Sequence, residues 1–203
     1  MKIGIMGGTF DPIHNGHLML GEYAYRKFDL DKIWFLPNGK PPHKDNNKIG
    51  SEIDDRLAMV SAAIEGTDYF ELQDYEARRQ KVSYSYETME HFQEVYPEDE
   101  FYFIIGADSL FALHCWKHPE RLLKTCTILA AFRDDANNRE VMNKKIEELN
   151  EEYCSDIRLL ETPLYPVSSS ELREMISQGE PIKEWVHPEV ERMILKNNWY
   201  KGC

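Results

Sequence analysis

The sequence predicts an α/β fold: a doubly wound parallel sheet with helices on both faces and a small helical C-terminal region. Three observations carry that expectation. Short apolar, β-rich runs recur between amphipathic segments, the alternation that joins parallel strands through right-handed crossovers. The first run, Lys2-Ile3-Gly4-Ile5-Met6, leads through Gly7-Gly8 into a helical pattern. A chain of 203 residues is also long enough for one domain with a full core.

The elements follow in order. A strand is expected at 2–6. A helix follows at 15–28, where Leu18, Met19, Leu20, Tyr23, Ala24 and Phe28 have the spacing of a buried face. Lys-Ile-Trp-Phe-Leu makes a strand of 32–36, and 69–72 and 101–105 (Phe-Tyr-Phe-Ile-Ile) read the same way, with helices at 51–65 and 85–95 between them. Two short helices at 107–113 and 118–123 precede a strand at 126–131. A helix is expected at 136–152; the charged segment 137–153 has Val141, Ile146, Leu149 and Tyr153 as its apolar positions, and a solvated surface helix accounts for it. A strand at 156–160 and helices at 169–177 and 188–197 complete the pattern. The longest irregular stretch is 37–50, and a loop of that length in a compact domain is usually functional or mobile. There is no internal repeat or low-complexity tract, so a single domain spanning 1–203 is expected, with 168–203 as its helical subregion.

The net charge is −12, from 24 basic and 36 acidic residues. That balance argues against a duplex nucleic-acid partner, which calls for a basic face. An anionic ligand would need cations gathered locally within an acidic body. Apolar runs fall far short of the ~20 residues of a membrane span, and Met1-Lys2-Ile3 enters a strand with no leader pattern. Cys115, Cys126, Cys154 and Cys203 form no C-x-x-C pair, which favours free thiols in a reducing cytoplasm.

The most informative stretch is Gly7-Gly8-Thr9-Phe10-Asp11-Pro12-Ile13-His14-Asn15-Gly16-His17. Two glycines sit where a strand turns, and two histidines three residues apart share one face at the start of the next helix. Backbone N–H groups, a positive helix end and two imidazoles together suit a phosphate. The histidines alone could be polar surface residues of a helix start, or could chelate a metal, although no further ligand at suitable spacing joins them. Gly7, Gly8 and Gly16 allow close backbone approach to a ligand. The pattern is neither a Walker A loop nor a Gly-x-Gly-x-x-Gly fingerprint.

Three segments downstream add chemistry. Gly39-Lys40-Pro41-Pro42-His43-Lys44 is either a solvated turn or a hinge delivering Lys44 over a phosphate. Gly106-Ala107-Asp108-Ser109-Leu110 follows a strand at its carboxyl end, where α/β sheets bind ligands, although Asp108 could be a plain helix cap. Val167-Ser168-Ser169-Ser170-Glu171-Leu172-Arg173 is either a capping sequence or a phosphate site with helix-end N–H groups, hydroxyls and a guanidinium.

Gly-Thr-Phe-Asp-Pro-x-His-x-Gly-His resembles the signature of the Rossmann-like nucleotidyltransferase superfamily of adenylyl- and cytidylyltransferases. With residues 167–173, Ser83-Tyr84-Ser85-x-x-Thr88, and Gly106-Ala107-Asp108 through Trp116, the chain resembles the bacterial nicotinate-nucleotide adenylyltransferase family from Lys2 to about Trp199. It departs at Val167, Ser170 and Leu172, at Ser85 in place of threonine, and at Lys117, where many relatives carry tyrosine.

The resemblance implies ATP and nicotinate mononucleotide as substrates. ATP would be held by Gly7, Gly8, Thr9, Phe10, His14, His17, Gly106, Asp108 (on the ribose), Ser168, Ser169, Ser170 and Arg173. The mononucleotide would be held by Lys44, Ser83, Tyr84, Ser85, Trp116 (stacked on the pyridine) and Arg133 (on the phosphate). His14, His17, Lys44 and Arg173 would stabilise the transferring phosphates. Mg²⁺ would arrive on the ATP phosphates with mostly water ligands and no protein carboxylate cluster. A homo-oligomer is compatible with the sequence. Nicotinamide mononucleotide, phosphopantetheine, or a non-catalytic nucleotide-binding role are the alternatives.

Overall fold

The computed structural model describes residues 1–39, 50–79, 81–133 and 136–201. Six strands, β1 (Lys2–Gly8), β2 (Lys32–Pro37), β3 (Phe70–Leu72), β4 (Glu100–Gly106), β5 (Thr127–Arg133) and β6 (Ile157–Thr162), form one all-parallel sheet in the order β3-β2-β1-β4-β5-β6. Helices α1 (Asn15–Phe28), α2 (Ile53–Ile64), α3 (Ser85–Val95), α4 (Ala107–Phe111), α5 (Pro119–Leu122), α6 (Ala136–Tyr153), α7 (Ser169–Ser177) and α8 (Pro188–Asn197) alternate with the strands, and a 3-10 turn spans Leu113–Cys115. This is the expected doubly wound α/β architecture. The expected helix 107–113 is shorter, closing at Phe111 before the 3-10 turn.

The chain forms two compact units. The first comprises Met1–Gly7, Leu20–Trp34 and Tyr84–Leu164. Its core strands run parallel, with Ile5 opposite Phe103, Ile104 opposite Leu129, and Ala130 opposite Leu159. Continuous burial along β4 from Phe101 to Ile105 is the mark of a strand covered on both faces. Gly4 belongs to this packing, because a Cβ there would stand 2.6 Å from Ile33 Cδ1. Within the unit, Trp34 meets the rings of Phe92 and Tyr96 edge-on.

The second unit comprises Gly8–Met19, Phe35–Ser83 and Tyr165–Cys203. Its apolar centre includes Met59, Val60 and Ala63 of α2 with Val190 and Ile194 of α8, all buried.

Two helix faces differ from expectation. In α1 the buried positions are Gly21 and Ala24, while Leu18, Met19, Leu20 and Phe28 are half-buried and Tyr23 is exposed. The small residues one turn apart form the closely packed stripe, and the larger side chains splay to its sides. In α6 the inward residue is Met142, and Val141 is 52% exposed. Met142 lies four residues before Ile146 and so shares its face, whereas a five-residue step does not.

Candidate active site

In the second unit, β1 runs out at Gly8, and Phe10 follows in the left-handed region with φ 51°, rare for a bulky side chain. That turn folds the Phe10 ring back against the strand end, 3.1–3.4 Å from where a Cβ on Gly8 would stand. A side chain at Gly8 would have to push the Phe10 ring aside by a few tenths of an ångström. The Phe10 ring in turn meets the His17 ring edge-on, at 5.0 Å and 76°.

His14 and His17 lie side by side at the start of α1, ring centroids 3.7 Å apart. The His14 backbone N–H donates to His17 Nδ1 (3.2 Å), and the His17 N–H donates to the His14 carbonyl (2.9 Å). Nδ1 can accept only through its lone pair, so the ring's own N–H lies at Nε2. The His14 ring is parallel to that of Tyr165, centroids 5.6 Å apart.

Gly16 has a packing role that the sequence reading did not name. A Cβ at Gly16 would collide with the Tyr165 ring and come within 2.9 Å of His14 Nδ1. The space beside Gly16 is filled by the Tyr165 ring, so side-chain packing by itself accounts for glycine there. The Tyr165 hydroxyl donates to the Trp185 carbonyl (3.2 Å), the oxygen that also accepts the Asn15 N–H (2.8 Å). Burial holds the Tyr165 phenol above its ordinary range, against a hydrogen bond from the Gly16 backbone.

The start of α7 is bonded to the same motif turn. Ser169 Oγ donates to the Pro12 carbonyl (2.9 Å) and Arg173 Nη1 to the Asp11 carbonyl (2.6 Å). Ser168 and Glu171 form a reciprocal capping box, and Arg173 Nη2 donates to Ser170 Oγ (3.2 Å). The capping role of this segment is thus real, and it leaves the first two helix amides directed outward as in any α-helix start. Thr9 is buried, its carbonyl accepting from Arg56 Nη1 (2.7 Å). Ser83 is also buried.

In the first unit, Gly7 and Gly106 sit at the carboxyl ends of the neighbouring strands β1 and β4. The chain leaves these two strands toward opposite sides of the sheet, which makes this the switch point where doubly wound sheets bind ligands. A Cβ at Gly106 would meet nothing within 4 Å, and at Gly7 only the Phe103 ring at 3.5 Å. Asp108 is exposed in the first turn of α4. The N-cap of that helix is Gly106, with no side-chain cap, so capping does not explain Asp108.

Trp116 follows the 3-10 turn, half-buried, its ring perpendicular to Phe103 at 6.5 Å. It is not a core residue. Lys117 places Nζ 4.6 Å above the ring of Tyr84, which precedes Ser85, the first residue of α3. Arg133 ends β5, but its side chain lies outside what is described, as do Lys44 and the rest of 40–49.

Comparison with known proteins bears on this arrangement. A cytidylyltransferase-like family model matches residues 5–175. A probable nicotinate-nucleotide adenylyltransferase of Lachnoclostridium phytofermentans is 40% identical over 199 residues, 98% of each chain. One from Clostridium tetani is 40% identical over 200 residues, covering 98% of this chain and 99% of that protein. The chain belongs to the nicotinate-nucleotide adenylyltransferases of the cytidylyltransferase-like family. The fold is shared with the Plasmodium falciparum nicotinic acid mononucleotide adenylyltransferase solved with NaAD (TM-score 0.78, 24% identity, 98% of this chain and 97% of that one).

Three residues bonded in and around the histidine turn escaped the sequence reading. Asp11, 2% exposed, accepts from the Gly50 N–H (2.8 Å), the Ser51 hydroxyl (2.5 Å) and the Tyr200 hydroxyl (2.8 Å). Tyr200, 3% exposed, is held protonated to high pH first by burial and then by the Asp11 charge. Arg56, 2% exposed, bridges the carbonyls of Thr9 (2.7 Å) and Asn38 (2.9 Å). Burial lowers the Arg56 pKa, with Asp11 the main opposing influence. Only Arg56 left a local trace: a charged residue in register with Met59, Val60 and Ala63 on the buried face of α2.

Among the described residues no three His, Cys, Asp or Glu side chains gather as a metal site, and no helix is long and apolar enough to cross a membrane. Cys115, Cys126 and Cys154 are free thiols, as expected.

Proposed function

We propose that this chain joins ATP to nicotinate mononucleotide, releasing pyrophosphate and forming deamido-NAD. One observation carries the reading: the turn that presents His14 and His17 is bonded to the start of α7 through Ser169 and Arg173. Two helix starts, an Nε2–H donor and a guanidinium are thus built on one loop, a donor set suited to a polyphosphate. The relatives at 40% identity, probable nicotinate-nucleotide adenylyltransferases, support the choice of acceptor.

In this reaction an oxygen of the mononucleotide 5′-phosphate attacks the α-phosphorus of ATP, and the bond to the bridging oxygen breaks as pyrophosphate leaves. The attacking phosphate is already ionised, so no strong base is needed, and catalysis is positioning with charge neutralisation. His14 and His17 meet the α- and β-phosphates, His17 nearest the α-phosphate. Arg173, Lys44 and the helix start at Ser168, Ser169 and Ser170 hold the departing β- and γ-phosphates. The backbone at Gly7, Gly8, Thr9 and Phe10 lies along the nucleotide, with Gly106 leaving room and Asp108 on the ribose. Trp116 stacks on the pyridine ring, backbone N–H groups near Ser85 and Trp116 receive its carboxylate, and Ser83, Tyr84 and Arg133 complete the mononucleotide site. Mg²⁺ enters bound to the triphosphate, as part of the substrate. The free thiols suit a cytoplasmic setting.

Pyrophosphate release from ATP, with nicotinate mononucleotide, nicotinamide mononucleotide and phosphopantetheine offered in turn, tests the reading. Release with the nicotinate compound at the highest kcat/KM is expected. A higher kcat/KM for either other acceptor overturns it.

A further inference from the structure

Asp11 carries a carboxylate into the interior of the second unit, and the nearest guanidinium, that of Arg173, makes only a long ion pair with it, beyond hydrogen-bond distance. Arg173 Nη1 donates to the Asp11 backbone carbonyl at 2.6 Å and stays 3.8 Å from Asp11 Oδ2. The carboxylate is held by neutral donors: the Gly50 N–H on Oδ2, and the Ser51 and Tyr200 hydroxyls on Oδ1. The Tyr200 oxygen also lies 3.1 Å from Ser51 Oγ, so both hydroxyls meet at the one carboxylate oxygen. The Tyr200 ring fills the space over Gly50, where a Cβ would stand 2.7 Å from Tyr200 Cδ1. Arg56, the other nearby cation, gives its Nη1 to the carbonyls of Thr9 and Asn38. Buried carboxylates need full hydrogen bonding. If a neutral donor were lost, the closest movable replacement is the Arg173 guanidinium, which is 24% exposed.

We propose that Tyr200 is a positioning residue for ATP: by satisfying Asp11, it keeps Arg173 at the start of α7 and prevents its collapse onto the carboxylate. The proposal rests on the reading that Arg173 meets the triphosphate. Tyr200 itself touches no substrate, and it is separated from Asp11 by 189 positions in sequence.

The test is a double-mutant cycle of Tyr200→Phe with Arg173→Gln, read as KM for ATP, KM for the acceptor, kcat, and ATP binding by calorimetry. Tyr200→Phe alone should weaken ATP binding and raise KM for ATP roughly tenfold, the effect of one charge-assisted hydrogen bond. The acceptor KM should stay within about twofold, the usual limit of independent sites. In the Arg173→Gln background, Tyr200→Phe should add less than about twofold. Equal losses in both backgrounds, a parallel rise in both KM values, or unchanged ATP binding would each overturn the proposal. Should Tyr200→Phe fail to fold, Ser51→Ala removes a donor from the same oxygen and is scored by the same cycle. ATP is read with whichever acceptor the wild-type chain uses, so an error in the acceptor assignment shows in the acceptor panel and not here.

Discussion

The backbone N–H of His14 donates to Nδ1 of His17 at 3.2 Å, and this one bond decides what His17 can do. With Nδ1 occupied as an acceptor, the imidazole has a single donor, at Nε2. The Phe10 ring edge-on at 5.0 Å restricts the swing of the imidazole. A donor held before substrate arrives is the arrangement that stabilises charge developing on a transferring phosphoryl group.

Substituting His17 by its two half-mimics separates the roles of the nitrogens. Asparagine can keep an acceptor near Nδ1 but has no donor at the Nε2 position, whereas glutamine reaches that position with an N–H. His17→Asn should lower kcat by on the order of 10²–10³, as expected for loss of one such donor, and His17→Gln should retain clearly more. Steady-state pyrophosphate release from folded variants decides it. Equal activity of the two variants would mean that Nε2 is not the working atom.

Much of this architecture was readable from local signals. The bounds of α1, α3, α7 and α8 coincide with those expected from the sequence. The open strand ends at Gly7 and Gly106 follow from glycines placed after apolar runs. Partners distant in sequence were not readable: Tyr200 and Ser51 reach Asp11 across 189 and 40 positions. Tyr165, which fills the notch at Gly16, gives no sign of doing so in its own surroundings. No short-range period encodes such pairings, because each depends on where separate elements dock.

The Gly16 notch makes its own prediction. Gly16→Ala forces a methyl group into the Tyr165 ring and toward His14 Nδ1, an overpacking that costs about 1–3 kcal/mol. For a chain of this size the thermal midpoint should fall by roughly 2–12 °C. Adding Tyr165→Leu, which removes the facing ring, should recover part of that loss. A midpoint for Gly16→Ala equal to wild type would show that the ring yields freely.

Cys126 couples burial to alkaline pH. The residue keeps some surface, yet its sulfur is enclosed, lying 3.6 Å from the Leu122 carbonyl, and burial pushes the thiol from 9.0 up to about 12. Cys115 and Cys154 are exposed. In a Cys203→Ser background at pH 8, a thiol reagent should therefore label two cysteines rapidly and the third only on unfolding, since the thiolate is the reactive form. The sign of the linkage follows. The unfolded thiol loses its proton near pH 9, while the folded one keeps it to about pH 12. The associated stability is complete below about pH 9 and is lost as pH rises toward 12. Urea midpoints across that window should fall more steeply for the parent than for Cys126→Ala, and parallel slopes would show that the enclosed thiol plays no part in alkaline unfolding.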